Sequence, residues 1–223
     1  MPTFEEIRRG ADNRKLIRKY NRAVGFIAPQ TVELPESLFE VGPPVSLIDL
    51  KTLGWFPLGL VSPDGYSFER EIETDDIDAL GYSSFQRTDT IRVPRSIGVT
   101  LLQSGSGARH INELLYGVDL DGITPAEGSN EIVFDEPELP IDREWRALIV
   151  AVDGPADEQW VRGKGYGSVK LSAGGGETWG QEGASSNEIT LNVQTDEETG
   201  TPVRHYFGGS GRKKYEDVLG YAA

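Results

Sequence analysis

The residues best able to do chemistry in this chain are its carboxylates, which come in close pairs: Asp75/Asp76, Asp119/Asp121 and Asp135/Glu136. A glycoside hydrolase needs two such groups converging across a cleft, and Trp145, Trp160 and Trp179 could line one. Acids in so large an excess are more often a solvated face. The run DLDGITPAEGSNE, 119–131, only loosely follows calcium-loop spacing and lacks the bidentate glutamate at the loop's twelfth position. Two histidines, His110 and His205, are too few for a multi-histidine metal site. There is no His-Glu-x-x-His, and no serine sits in a nucleophile elbow. The glycines of RGKGYGS, 162–168, faintly resemble a phosphate cradle but do not open a helix with a Lys-Ser/Thr pair, so they read as a β-turn or bulge. GSGAR, 105–109, does precede a helix but lacks Walker spacing. The reading is of a non-enzyme with no catalytic, cofactor-binding or metal residues and no cofactor.

What must position anything here is a turn-rich chain. Its 223 residues are 37% hydrophobic and include 27 glycines and 13 prolines, enough for one large β-rich domain with extensions or two small ones. A net charge of −14 argues against wrapping duplex DNA or binding an anionic membrane surface. Without cysteine there are no disulfides or thiolate metal sites. No stretch approaches the roughly 20 apolar residues of a membrane span. The basic N-terminus has no apolar run behind it, so a soluble product made in a cytoplasm, with no signal peptide, is expected.

Strands are predicted at 23–28, across TIRVPRSIGVTLLQ (90–103, one strand or two), at 143–154 (apolar on both faces, hence central), 159–173, 187–196 and 201–209. One core helix is predicted over 106–117, capped by Ser106, striped by Ile111, Leu114 and Leu115, and ended by Gly117. Residues 29–46 read as a proline-rich loop with a helical turn at Ser37–Val41, 74–90 as an acidic loop, and 174–186 as a long flexible turn. Residues 3–20 read as a short amphipathic helix broken near Gly10, either a frayed terminus or an arm that orders on a partner. The fold class is mainly β: a β-sandwich or open barrel with one packed helix and extended terminal arms. The expected divisions are an N-terminal arm (1–22), a β-domain (23–209) and a C-terminal arm (210–223).

LGWFPLGLVSPDGYSFEREIE, 53–73, reads as a hairpin turning at Pro63-Asp64-Gly65. Its outgoing strand would bury Tyr66, Phe68 and Ile72 and show water a row of acids, Glu69, Glu71 and Glu73. Trp55 and Pro57 are expected to be structural, as is Gly65 in the turn. After the glycines at 208–211, read as a hinge, come Arg212, Lys213 and Lys214 with Tyr215, Val218, Leu219 and Tyr221 as apolar anchors.

Residues Ala23–Gly117, a little under half the chain, resemble the major tail tube protein of long-tailed, siphovirus-type bacteriophages, particularly those of actinobacterial hosts. The resemblance is carried by Phe26-Ile27-Ala28-Pro29, a Leu-Pro loop, the W-x-P-L-G-x-V-S-x-D-G run at Trp55–Gly65, Phe85-Gln86, Val93-Pro94-Arg95 and the helix with N-E-L-L-Y-G. The long basic stretch before Asn21 departs from that pattern. The resemblance implies a tail-tube-type fold, in hexameric rings stacked into a hollow tube that conducts DNA without specific binding. It implies a virion tail location, assembly in the host cytoplasm, no membrane insertion, and as partners other copies of itself, a tape measure protein, a tail terminator and distal tail proteins. In such a tube Glu69, Glu71 and Glu73 would line either the lumen or the outer wetted face. The basic C-terminal cluster would meet acidic Asp75, Asp76 and Asp78 of a neighbour. The other reading is a carbohydrate-binding or virion-decoration β-sandwich.

Overall fold

The computed structural model describes residues 2–40, 46–155, 157–174, 176–177, 179 and 183–221. The chain is mainly β, with ten strands among the described residues: β1 (Arg22–Pro29), β2 (Phe56–Pro57), β3 (Val61–Arg70), β4 (Glu73–Ile77), β5 (Arg87–Arg92), β6 (Arg95–Leu101), β7 (Trp145–Asp153), β8 (Trp160–Gly174), β9 (Asn187–Gln194) and β10 (Arg204–Gly208). Eight of them form one antiparallel sheet in the order β2-β1-β7-β8-β9-β6-β3, with β10 beside the first half of β8. β4 and β5 form a separate two-stranded hairpin.

Alternation along the strands makes two cores. Ile27, Trp145, Ala147, Ile149, Tyr166 and Val169 share one face of the sheet with Ile97, Val99, Leu101, Ile189 and Leu191 of the strands that curl over it. Helix α2 (Arg109–Tyr116) lays Ile111 and Leu114 into this core and ends where Gly117 turns left-handed at φ +58°. The opposite face carries Ala28, Leu148, Val150, Val161 and Tyr206, and is covered by Leu34, Leu38, Leu50 and Trp55 from the segment between β1 and β2. The sheet curls far enough that β3 returns over β1, where a β-carbon on Gly25 would sit 2.6 Å from the Tyr66 hydroxyl; just after β2 the Leu58 amide donates to the Gly25 carbonyl at 2.9 Å.

Several local expectations are corrected. Trp55–Gly65 is not a hairpin arm: Phe56 and Pro57 pair with Ile27 and Phe26 of β1, and β3 pairs with β6. Pro63-Asp64-Gly65 is a bulge inside β3, because Val61 and Tyr66 face Leu101 and Val99, five steps on one strand against two on the other. A local turn signal cannot specify the pairing partner of the strand that contains it. The acidic loop 74–90 is in fact the β4–β5 hairpin, its acids having masked an extended segment. The bulge read for 162–168 is present at its end, where Trp145 and Ala147 face Val169 and Tyr166, two steps on β7 against three on β8, and a second follows between Leu171 and Ala173. No turn forms there, and the glycines lie within β8. Their absent side chains let the covering segment approach: a β-carbon on Gly163 or Gly165 would sit 2.6 Å or 2.9 Å from a methyl of Leu38 or Leu34. Ser106 lies in a short 3₁₀ turn, and α2 starts after Ala108 with no side-chain cap. Residues 37–40 form no helical turn; Phe39 instead bridges to Leu47, and Val41 lies outside the described residues, as do parts of 174–186.

At the N-terminus α1 (Phe4–Ala11) runs through Gly10, opened by a capping box in which the Thr3 amide donates to Glu6 at 2.7 Å. Phe4, Ile7 and Ile17 stay exposed. At the C-terminus two four-residue helical turns follow β10, α3 (Ser210–Lys213) and α4 (Glu216–Leu219).

Candidate functional site

The row of acids does not survive as a row. Glu69 is on β3 and accepts from the Ser96 hydroxyl at 2.9 Å. Glu71 lies between strands and shares a shallow depression with Glu69, Arg70 and Arg95. Glu73 opens β4 and takes a 2.6 Å bond from Arg92 Nε. Strand β3 ends at Arg70, so Ile72 is 48% exposed rather than buried, and Phe68 is on the margin at 37%. The local face is of mixed charge.

The other paired acids are not poised together either. Asp119 and Asp121 are held by Arg143 and Arg109 at 3.5 and 3.2 Å. Both arginines also reach buried Glu113, whose Oε1 accepts from Arg109 Nε at 2.9 Å and from the Leu120 amide at 3.2 Å, which pins α2 to the following loop. The Asp121 amide, with Arg143 and Arg109 beyond it, holds the Asp119 carboxyl below its usual range. Trp145 and Trp160 are buried and Trp179 alone is exposed, so the three do not form an aromatic platform. His110 stacks on Phe56 and meets the Pro57 carbonyl at 2.8 Å, a structural use. Among the described residues no three metal-ligating side chains gather.

The most exposed element is the hairpin. Every residue of β4 and β5 except Glu73 is exposed. Asp75 and Asp76 lie on β4 opposite Asp89 and Thr88. Ile77, Leu80, Tyr82, Phe85 and Ile91 show 48–103% of their surface to water.

The basic C-terminal cluster is partly engaged within its own chain. The stretch read as a hinge is anchored: Ser210 Oγ accepts from the Gln159 amide at 3.1 Å, and the Gly211 amide donates to the Gln159 carbonyl at 2.9 Å. Tyr215 packs on Trp160 with ring centroids 5.7 Å apart, Lys214 pairs with Glu158 at 3.2 Å, and Arg212 lies over Tyr221. Glycine at 211 serves the close approach to Trp160, where a β-carbon would come within 2.6 Å of the indole. Lys213 is exposed and Leu219 half-buried. Truncation after Gly209 is therefore expected to leave the far-ultraviolet circular dichroism unchanged while red-shifting tryptophan emission as Trp160 is uncovered; an unshifted spectrum would show that the segment does not cover Trp160.

One arrangement escaped the sequence reading. Arg162 and Lys164 of β8 pair across the strands with Phe207 and His205 of β10 on one side and with Ala151 and Ile149 of β7 on the other, so all six share one face. Of these, Ile149, Ala151, Arg162 and Lys164 floor a cleft of about 750 Å³ between β1 and β3. Lys164 Nζ lies 3.6 Å from the centre of the Phe68 ring, and the Arg162 guanidinium lies over Tyr20 and Phe207. Among the described residues, no carboxylate pairs with Arg162, Lys164 or Arg22. Burial, then the Arg162 charge, lowers the Lys164 amine; burial, then Lys164, Arg162 and Arg95, lowers His205. The signal available in the sequence was the alternation Arg-x-Lys-x-Tyr at 162–166, masked by its interleaved glycines.

No known family model and no curated protein matches the chain. Among solved structures it is similar to a chain of "Cryo-EM structure of the anti-feeding prophage (AFP) baseplate, 6-fold symmetrised", with 11% identity, a TM-score of 0.35, and coverage of 85% of this chain and 94% of that one.

Proposed function

We propose that the chain is a structural subunit of a phage-type tail that polymerises as stacked hexameric rings into the tail tube, a conduit for DNA, and that it is not an enzyme. The β4–β5 hairpin carries this reading. A lone two-stranded hairpin is marginal in water, and this one leaves Ile77, Leu80, Tyr82, Phe85 and Ile91 48–103% exposed. Strand β3 also ends the sheet with an unpaired edge, which a neighbouring copy would cover. The motif order from Phe26 to Gly117 adds the resemblance to tail tube proteins. On this reading tape measure, terminator and distal tail proteins are its partners in the virion tail, and Glu69, Glu71 and Glu73 lie at a wetted wall that does not grip phosphates. Arg212, Lys213, Lys214, Tyr215 and Leu219 take part in contacts between copies, meeting Asp75 and Asp76 of a neighbour. No described helix is long and apolar enough to cross a membrane.

Sedimentation velocity and negative-stain microscopy of the full chain over a concentration series are expected to show rings and then tubes. A strictly monomeric protein, absent from purified tails, would overturn the reading.

A further inference from the structure

We propose that the cleft between β1 and β3 is a docking site for the acidic β4–β5 hairpin of a second copy of this chain. This rests on the self-assembly reading above and names the surface it uses. The cleft lies between two strands that are not paired with each other, since β3 ends the sheet and, among the described residues, β1 meets Phe56, Pro57 and the Leu58 amide on that side. An extended segment can enter there and bond to exposed backbone.

Charge selects the occupant. Arg22, Arg162 and Lys164 line the cleft against a single carboxylate, Asp64, in a chain of net −14. Arg162 Nε is buried and has no hydrogen-bond partner, an unmet donor that an incoming carboxylate would satisfy. The hairpin offers Asp75, Asp76 and Asp78 beside exposed Ile77. The aromatic walls, Tyr20, Tyr66 and Phe68, suit that apolar companion. Each element lacks what the other supplies: the hairpin needs a covering surface and the cleft needs anions. Single-stranded nucleic acid would also find cations and rings here, but the exposed hairpin of the same molecule is left uncovered by it.

The test uses full-length protein. Lys164→Glu and Asp76→Lys are each expected to weaken self-association on the order of tenfold or more, as loss of a close interfacial charge pair does. Mixed in equal amounts they are expected to co-assemble, because each then meets its opposite charge. Lys164→Gln is the milder variant should the reversal fail to fold, checked by circular dichroism. Carbodiimide coupling of mixed ¹⁴N and ¹⁵N protein is expected to link Lys164 to an aspartate of the hairpin between differently labelled copies. If both variants assemble like the wild type, the cleft is not the contact although the tube reading stands. If the wild type never assembles, both readings fall. If a single-stranded oligonucleotide binds the wild type but not Lys164→Glu, while self-association is unchanged, the cleft is a nucleic-acid site and the proposal is wrong.

Discussion

Replacing Trp55 with alanine is expected to destabilise the subunit by about 3–5 kcal/mol, the range for deleting a fully enclosed aromatic. Trp55 is 1% exposed and packs among Ala28, Leu34, Leu50 and Leu148, joining the covering segment to the sheet. The site cannot easily collapse, because the chain before it is fixed by the Trp55 amide bonding to the Leu50 carbonyl at 3.0 Å and by a left-handed Gly54. Trp55→Phe should cost clearly less: it keeps most of the packing and deletes an indole N–H that has no partner. Denaturant unfolding of the two variants checks both statements. Equal midpoints for Trp55→Ala and wild type would show that the covering segment is not part of the folded core.

Asp196→Ala is expected to cost about 3 kcal/mol or more, because it strips a partner from a buried cation. Arg146 and Asp196 are both only 4% exposed at their side chains and lie 3.8 Å apart, while the more exposed Glu198 reaches the same guanidinium at 2.5 Å. Asp196 also takes bonds from the Thr199 hydroxyl and amide at 2.7 and 3.1 Å, and fills the space above Gly167. Burial opposes its charge, but the Thr199 bonds and Arg146 outweigh it and hold the carboxyl below the ordinary aspartate range. The unfolded chain therefore takes up this proton at a higher pH than the folded one. The contribution is complete above about pH 4 and is lost as the pH falls through the lowered folded value. Asp196→Asn should flatten that part of the stability-versus-pH curve and leave the neutral-pH loss smaller than in the alanine variant. Melting curves between acid and neutral pH measure both.

The sequence made the elements legible where one face is apolar. Strands β1, β7, β8, β9 and β10 and the body of α2 announce themselves by hydrophobic period, since burial of a face is a local pattern. Trp55, expected to be structural, is buried. What stayed hidden depended on pairing at a distance. Pro63-Asp64-Gly65 has turn chemistry whether it closes a hairpin or bulges out of a strand, and only the Val61–Leu101 and Tyr66–Val99 pairings distinguish the two. The hairpin at 73–92 was obscured because neither of its faces is buried in the subunit, so no alternation was imposed on it. The cleft was invisible for a third reason: its cations come from β1 and β8 and its rings from β3 and the segment before β1, and no spacing in one segment reveals that they meet.

The glycines of β8 have a consequence for how the sheet finds its alignment. From 161 to 167 the strand reads apolar, Arg, Gly, Lys, Gly, Tyr, Gly, so cations and glycines are assigned to opposite faces. A slip of one residue against β7 would drive Arg162 and Lys164 under Leu34 and Leu38, where a single methyl group does not fit. The same slip would present bare glycines to the aromatic cleft. Misaligned pairing is thus penalised on both faces at once, by collision on one and by an unfilled void on the other. A stretch that looks permissive by composition is for this reason among the least tolerant of error, and it can act as the ruler by which the neighbouring strands are set.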